Sequence, residues 1–237
     1  MNMQNTSHAV MSQRYEGKES ADNFPTPPWA TRALIKYVIR NEVHSSQTCL
    51  EPACGQGHMA KPLEEYFQSV VASDIINYGY GSTADFLGNR EKDVDSPASY
   101  DWVITNPPFR LAEEFVHRAL EVCNIGVAIL ARTVFLESVG RYERLFNVHK
   151  PAKFAQFVER VPMVKGRLDQ KASTATGYAW IVWKKDSADI CETVWIPPCR
   201  KELELNSDYA YPIAPKKIQK DDGSTLSLFE PEFQFDV

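Results

Sequence analysis

Short apolar runs alternate with helical patterns along the first two thirds of the chain, and this order constrains the fold more than any other feature. Runs of strand length are found at Thr48–Glu51, Val70–Ser73, Trp102–Thr105 and Gly126–Leu130. Patterns with helical spacing are found at Trp29–Glu42, His58–Gln68, Leu111–Glu121 and Phe135–Phe146. Strands that alternate with helices are joined by right-handed crossovers, which give a parallel sheet covered on both faces. The sequence therefore predicts a Rossmann-like, doubly wound α/β fold with mostly buried strands.

The later part of the chain carries a different pattern. Two strand-like runs, Phe154–Val161 and Tyr178–Trp183, have no strong helix between them, which predicts an antiparallel pair at one edge of the sheet. Beyond Lys185 regularity fades, because the prolines at positions 197, 198, 212 and 215 interrupt the sequence. We therefore expect a flexible N-terminal arm over residues 1–23, a catalytic domain over 24–185, and an irregular extension with an acidic tail over 186–237.

Composition excludes several classes of protein. No apolar run approaches the roughly 20 residues that a membrane span requires, and the polar first residues do not resemble a signal peptide. The five cysteines form no CxxC pair, so neither a structural zinc site nor a disulfide framework is expected. These features predict a protein of the reducing cytoplasm without a bound metal.

The formal net charge of −5 argues at first against a nucleic-acid partner, but the charge is unevenly distributed. We define the basic belt as residues 140–171, where eight basic and three acidic side chains give a net charge of +5. From Asp186 onward eleven acidic and five basic side chains give −6. The chain is thus polarised, and the belt is where a polyanion would bind.

Three segments at predicted strand ends point to one cofactor. The first strand ends at Glu51 and runs into a G-x-G turn at Gly55 and Gly57, where glycine allows the backbone to approach a ligand. Glu51 would repel a pyrophosphate but suits the ammonium group of a methionine moiety. Asp74 ends the next strand and can accept hydrogen bonds from ribose hydroxyls, and Asp85 with Phe86 suits an adenine. Together they predict an S-adenosylmethionine site.

The predicted strand Trp102–Thr105 leads into Asn106-Pro107-Pro108-Phe109. The prolines fix the backbone and remove competing N–H donors, which leaves the Asn106 side-chain oxygen and the Pro107 carbonyl as convergent acceptors. Such a pair suits a planar exocyclic amino group, whose lone pair becomes nucleophilic when both of its hydrogens are accepted. Phe109 offers a face on which a base can stack.

The order of these motifs resembles that of the amino-methylating nucleic-acid methyltransferases. Written in sequence letters the motifs are FPTP from residue 24, LEPACGQG from 50, ASD from 72, ADF from 84 and NPPF from 106. This order is similar to the N6-adenine DNA methyltransferases in particular. The segments around Leu130–Arg132 and Tyr178–Trp183 resemble phage and prophage members of that family.

The resemblance implies a role for each matching residue. The target base would be held by Asn106, Pro107, Pro108 and Phe109. The cofactor would contact Phe24, Thr26, Pro27, Glu51, Pro52, Ala53, Gly55, Gly57, Asp74, Ile75, Asp85 and Phe86. The family often carries a large target-recognition domain, and no insert of that size is present in this sequence. We therefore expect a short or lax recognition sequence, with DNA held by belt residues Arg141, Arg144, Lys153, Lys165, Arg167 and Lys171.

Four alternatives stay open at the level of sequence. The same chemistry could act on RNA adenine, on cytosine N4 or on a protein glutamine, although glutamine enzymes usually have Tyr at the position of Phe109. The chain could also be a non-catalytic binding protein. The segment from Thr225 to Phe229 resembles the motif by which bacterial proteins dock on the sliding clamp, with Leu226, Leu228 and Phe229 as anchors.

Overall fold

Eight strands form one mixed sheet in the computed structural model, which describes residues 22–88, 100–187, 190–210, 218–219 and 225–226. The strands are β1 (Thr48–Glu51), β2 (Ser69–Asp74), β3 (Ser82–Thr83), β4 (Tyr100–Thr105), β5 (Cys123–Arg132), β6 (Lys153–Phe157), β7 (Tyr178–Lys184) and β8 (Glu192–Ile196). Their order across the sheet is β3-β2-β1-β4-β5-β7-β6-β8. Strand β7 is antiparallel to β5 and β6, and the other pairings are parallel. The predicted fold class is confirmed.

The helices are short. They are α1 (Pro28–Ala33), α2 (Ala60–Leu63), α3 (Ala112–Val122), α4 (Val139–Arg141) and α5 (Arg200–Leu203). Helix α1 continues as a π-helix over Leu34–Val38, α4 continues as one over Tyr142–Phe146, and 3₁₀ turns cover Thr133–Leu136 and Asn206–Tyr209. Within the described ranges, no helix combines the length and the apolar character needed to cross a membrane.

The two faces of the sheet belong to two apolar clusters, as the alternation of side chains along β4 shows. Trp102 and Ile104 pack into the cluster that contains α1, whereas Val103 packs into the cluster that contains α3. The indole nitrogen of Trp180 on β7 donates a hydrogen bond to the carbonyl oxygen of Ala30, at 3.0 Å. This bond ties the segment before β1 to β7, which lies three strands away from β1 in the sheet.

Several sequence predictions need correction. The antiparallel pair β6–β7 is confirmed, but β8 lies outside it and forms the edge. The prediction of an irregular chain after Lys185 is wrong for residues 192–210, because Val194 and Ile196 alternate with the exposed Trp195 in a strand. The two prolines at 197 and 198 end this strand instead of preventing it.

Strand β2 is also less buried than predicted. Val71 is 41% exposed; it lies on the face of Leu50, where α3 packs mainly on β4 and β5. The first and second predicted helices are shorter than expected, ending at Val38 and Leu63. The fourth predicted helix, Phe135–Phe146, is broken before Ser138, whose side chain caps the following turn. Residues 1–21 lie outside the described ranges, so the N-terminal arm stays a prediction.

A buried ion-pair network attaches the C-terminal part of the fold to α1. The guanidinium of Arg32 donates to both carboxylate oxygens of Asp208, at 2.8 and 2.9 Å, and to Glu65. It also donates to the main-chain carbonyl of Leu203, at 2.9 Å. Asp208 is 1% exposed and Arg32 is 6% exposed. Breaking a buried pair leaves an uncompensated charge in the interior.

We predict that Asp208→Ala lowers the free energy of unfolding by about 3 kcal/mol, because it removes the buried carboxylate of the pair and leaves the partly exposed Glu65 as the carboxylate that binds Arg32. Urea unfolding followed by circular dichroism measures the change. Glu202→Ala is the matched control, since Glu202 also binds α1, through Lys36 and Tyr37, but at an exposed position. Equal losses in the two variants would contradict the prediction.

Candidate functional site

The carboxyl ends of β1, β2 and β4 meet at one edge of the sheet and form a pocket of about 370 Å³. This size falls within the range of small-molecule sites. Predicted site residues that line it are Phe24, Thr26, Glu51, Ala53, Gly55, Asp74, Ile75, Asn106 and Pro108. The parallel topology therefore assembles motifs that are separated by up to eighty residues of sequence.

The sequence analysis did not assign a role to several residues that complete the lining. They are Asp22, Asn23, Pro25, Cys54, Gln56, His58, Met59, Ile76, Tyr78, Arg110 and Leu111. Each lies within four residues of an assigned position, so a search of the flanks of each motif would have included them. Tyr78 could not have been singled out, because it follows β2 in a turn without a recognisable pattern.

Glu51 carries a buried oxygen without a protein partner. Its Oε1 accepts hydrogen bonds from the Ala53 amide, at 3.0 Å, and from the Thr105 hydroxyl, at 2.6 Å. Its Oε2 is buried and has no partner among the described residues. An unpaired buried carboxylate oxygen is unfavourable unless a ligand donates to it. This side of the pocket is thus suited to a group with N–H donors or a positive charge.

Burial raises the pKa of Glu51 from 4.5 to about 8, although the bonds from Thr105 and Ala53 act in the opposite direction. The nearby Asp74 adds to the rise. A cation bound beside Glu51 would favour the charged carboxylate and bring this pKa down.

Asp74 positions the glycine loop. Its Oδ2 accepts from the Gly55 amide, at 2.9 Å, and its Oδ1 accepts from the Ile76 amide, at 3.0 Å. A carboxylate has about four acceptor positions, so room is left for two ligand donors. Gly55 has φ +50° and Gly57 has φ +86°, where residues with a side chain are strained. A Cβ on Gly57 would also lie 2.7 Å from the ring of Tyr80.

Asn106 is held from one end of its side-chain amide. Its Nδ2 donates to the carbonyl oxygen of Phe24, at 2.9 Å, and to the hydroxyl of Thr26, at 3.1 Å. Its Oδ1 is buried and has no partner among the described residues. The site therefore contains a second buried acceptor that lacks a donor.

Two side chains contact the Phe109 ring. Phe24 packs on it with ring centroids 5.3 Å apart, and the Arg132 guanidinium lies 3.8 Å from the ring centroid. The Phe109 amide donates to Asp22 Oδ2, at 2.7 Å. A guanidinium at this distance occupies the space that a stacked base would take.

Other predicted cofactor residues lie outside the pocket lining. These are Pro27, Pro52, Gly57, Asp85 and Phe86. Asp85 is exposed and accepts from the Leu87 amide, whereas Phe86 packs on Phe115 with centroids 5.1 Å apart. Contact of Asp85 and Phe86 with a ligand stays a prediction.

The basic belt does not form one surface. Arg144 makes two hydrogen bonds to Glu113 on α3, at 2.7 and 3.0 Å, and Arg141 lies 3.8 Å from the same carboxylate. Lys153 is bound by Glu42, at 2.7 Å, and by the carbonyl of Val38. These three cations are engaged by the protein itself.

Four of the five remaining belt cations lie on the connection between β6 and β7, which we call the basic loop (residues 158–177); the fifth, Lys150, precedes β6. Its predicted DNA contacts are Lys165, Arg167 and Lys171. The Gly166 amide donates to the carbonyl of Asn23, at 2.8 Å, and Met163 Sδ lies 3.9 Å from Asn106 Nδ2. The basic loop therefore adjoins the Asn106 side of the pocket, with the Arg167 side chain 58% exposed.

The fold has counterparts among solved structures, although no protein-family model and no curated protein matches the sequence. The protein assigned as the modification subunit of a type I restriction enzyme from Vibrio vulnificus superposes with a TM-score of 0.52 at 12% identity, covering 86% of this chain and 58% of that one. The methyltransferase subunit of a type I restriction-modification system from Streptococcus thermophilus gives 0.52 at 12% identity, with coverages of 77% and 50%. This chain thus spans just over half of the first and half of the second.

A third structure is similar over nearly its whole length. The protein assigned as an RNA methyltransferase from Pyrococcus horikoshii gives a TM-score of 0.51 at 14% identity and covers 72% of this chain and 93% of that one. The chain has the Rossmann-like methyltransferase fold. In this fold the pocket described above lies at the carboxyl edge of the parallel strands, where such sheets bind ligands.

Two further predictions concern ligands and partners elsewhere. Among the described residues, no group of three or more His, Cys, Asp or Glu side chains is placed to hold a metal ion. Leu226 lies in β10 (Thr225–Leu226), a two-residue strand antiparallel to β9 (Ile218–Gln219). Leu228 and Phe229 lie outside the described ranges, so docking on the sliding clamp stays a prediction.

We predict that Glu51 lowers the stability of the ligand-free protein as the pH rises from 6.5 to 8. Its pKa is about 8 in the folded state and 4.5 without burial, so the folded state holds a proton that the unfolded state has released. The free energy of unfolding should fall by at most about 1.4 kcal/mol per pH unit from this group.

Unfolding in urea at pH 6.5 and pH 8, for wild type and Glu51→Gln, measures this effect. The window begins at the ordinary pKa of His58, 6.5, which burial lowers to about 4, so His58 adds only a small rise in stability across it. Glu51→Gln should show a smaller fall than wild type. The same fall in both proteins would exclude Glu51 as its source.

Proposed function

We propose that this protein transfers a methyl group from S-adenosylmethionine to the N6 amino group of adenine in DNA. The observation that carries the proposal is the buried Asn106 Oδ1, which has no donor among the described residues and belongs to a side chain that lines the pocket. An acceptor in that state is suited to a ligand N–H group. An exocyclic amine provides such donors.

The pocket residues fit the proposed cofactor. Glu51 Oε2 is a buried acceptor that would pair with the ammonium of the methionine moiety, and its raised pKa would fall on binding. Asp74 keeps acceptor positions for the ribose hydroxyls beside the Gly55 amide that it orients. When bound, the cofactor supplies a sulfonium methyl group with a neutral thioether as leaving group.

Asn106 Oδ1 and the Pro107 carbonyl would then accept the two amino hydrogens of the target base. Loss of planarity concentrates the lone pair on the nitrogen, which attacks the methyl carbon while the carbon–sulfur electron pair leaves with sulfur. The methylated nitrogen is briefly cationic and releases one proton to solvent. The residues present thus orient and polarise the amine, and no strongly basic side chain is required.

Phe109 would stack on the target base, and its environment defines how the base enters. The ring contacts Phe24, and the Arg132 guanidinium lies over it. A base that stacks on the face under Arg132 would therefore have to displace the guanidinium. A guanidinium released at this point can contact a phosphate of the flipped nucleotide.

Two observations support a nucleic-acid substrate. The basic loop places exposed cations beside the Asn106 side of the pocket. Two of the similar structures are assigned to restriction-modification systems and a third to RNA methylation. The two structures assigned to restriction-modification systems favour DNA as the substrate, and adenine in RNA is the second candidate.

The direct test incubates the protein with S-adenosylmethionine and either duplex DNA or RNA, followed by digestion and nucleoside mass spectrometry. We expect N6-methyladenine in DNA. Asn106→Ala should reduce the rate on the order of 100-fold, because it removes an acceptor aimed at the reacting group. Asn124→Ala is the matched control, since Asn124 is exposed at the amino end of β5, the end opposite Arg132.

The products also separate the alternatives. Methyladenine in RNA alone would replace DNA by RNA as the substrate, and N4-methylcytosine would move the target to another base. A protein that binds S-adenosylmethionine but methylates neither polymer would contradict the proposal.

We predict that the basic loop, and not the rest of the basic belt, binds phosphates. Arg167→Ala combined with Lys171→Ala should reduce the slope of log K against log salt for duplex DNA by about 2, because about 0.9 counterion is released per phosphate contact. Fluorescence anisotropy over a salt series measures the slope. Arg144→Ala should change the slope less, since two hydrogen bonds to Glu113 hold that guanidinium, whereas Arg167 makes one, to Asp169; a loss with Arg144→Ala equal to that with the loop variant would contradict the assignment.

A further inference from the structure

The amide of Asn106 has two chemically opposite ends of nearly equal size, and the proposed chemistry uses one of them. With the oxygen toward the target the side chain accepts from an amine, whereas with the nitrogen toward the target it would repel the amine hydrogens. Packing alone does not distinguish the two orientations, since NH₂ and oxygen have similar volumes. Hydrogen bonds must make the choice.

Those bonds come from the segment before α1. The carbonyl of Phe24, 2.9 Å from Nδ2, is an acceptor that cannot donate, so it excludes the oxygen from that position. The Thr26 hydroxyl accepts at 3.1 Å, and Thr26 is 3% exposed, so solvent does not replace it. Met163 Sδ, a weak acceptor on the basic loop, lies 3.9 Å from the same nitrogen. Three acceptors therefore surround Nδ2, and the oxygen faces the remaining direction.

We propose that Thr26, together with the Phe24 carbonyl, is a positioning residue that fixes the orientation of the Asn106 amide for the target amine. The inference rests on the proposed function and deepens it. It also differs from the role that the sequence resemblance implies, in which Thr26 contacts the cofactor. Thr26 acts on the rate of methyl transfer through Asn106, and binding of the cofactor depends on Glu51 and Asp74.

The same geometry explains why an amide is required here in place of a carboxylate. In Asn106→Asp one oxygen would lie at the position of Nδ2, facing the Phe24 carbonyl oxygen at about the same 2.9 Å. Two oxygens at this distance repel unless one carries a proton. The carboxyl group of this variant should therefore work in its protonated form, which donates to Phe24 and keeps a C=O for the amine.

The test compares Thr26→Val, Thr26→Ser and Thr31→Val. Thr26→Val keeps the shape and removes the acceptor, so kcat should fall roughly 10- to 100-fold. The dissociation constant of S-adenosylmethionine, measured by calorimetry, should stay within about twofold of wild type, while Thr26→Ser should recover most of the rate. Thr31→Val is the control, because Thr31 is fully buried and its hydroxyl has no partner among the described residues.

Two further measurements make the outcome independent of a loss of folding. The side-chain amide signals of Asn106, assigned by their absence in Asn106→Ala, should shift in Thr26→Val and not in Thr31→Val. Asn106→Asp should gain activity as the pH is lowered, in contrast to wild type. The NMR measurement needs no substrate, so it separates failure of this inference from failure of the proposed function.

Unchanged kcat and unchanged Asn106 signals in Thr26→Val would overturn the inference. It would also be overturned if Thr26→Val weakened cofactor binding as strongly as it lowered kcat, because Thr26 would then belong to the cofactor site.

Discussion

Parallel pairing of β1 with both β2 and β4 is the constraint on which the rest of the molecule depends. It brings the loops that follow Glu51, Asp74 and Thr105 to one edge of the sheet, within reach of one ligand. Helices α1 and α3 belong to the apolar clusters on opposite faces of the sheet. They cover the two faces and leave the carboxyl edge of the strands open. The chemistry can be placed there because the apolar clusters stabilise the strands and the loops between them carry little of the packing.

Burial gives the polar atoms at this edge their specificity. Glu51 and Asn106 each have one end fixed by protein donors or acceptors and one buried oxygen without a described partner. The fixed ends prevent the side chains from turning away, and the free ends are unfavourable until a donor arrives. One oxygen is suited to a cation and the other to an amine. A buried oxygen without a described partner thus suits each of the two side chains to a different ligand group.

Sequence alone predicted the parts of the fold that repeat a local pattern. Strand β1 was predicted with its observed limits, and the ends of β4 and α3 were close, because these segments have strong apolar periodicity. Strand β8 was missed because Pro197 and Pro198 dominate its neighbourhood. The contacts of Arg32 with Asp208 and of Thr26 with Asn106 could not be predicted, since they join residues 176 and 80 positions apart. Pairing at such distances depends on tertiary packing, which leaves no local signal.

The net charge of the basic belt could be predicted from the sequence, but the surface on which each of its cations lies could not. The basic belt is contiguous in sequence, yet Arg144 pairs with Glu113 on α3 and Lys153 pairs with Glu42, whereas the basic loop adjoins Asn106. In the proposed function the loop would join side chains that bind phosphate to the residues around the target amine. Arg132 lies over the Phe109 ring and Met163 contacts Asn106, so a basic and an apolar side chain lie on the side where a base would enter. A phosphate group near Arg132 would attract its guanidinium away from the ring, so the same electrostatic interaction would favour binding of the polymer and entry of the base.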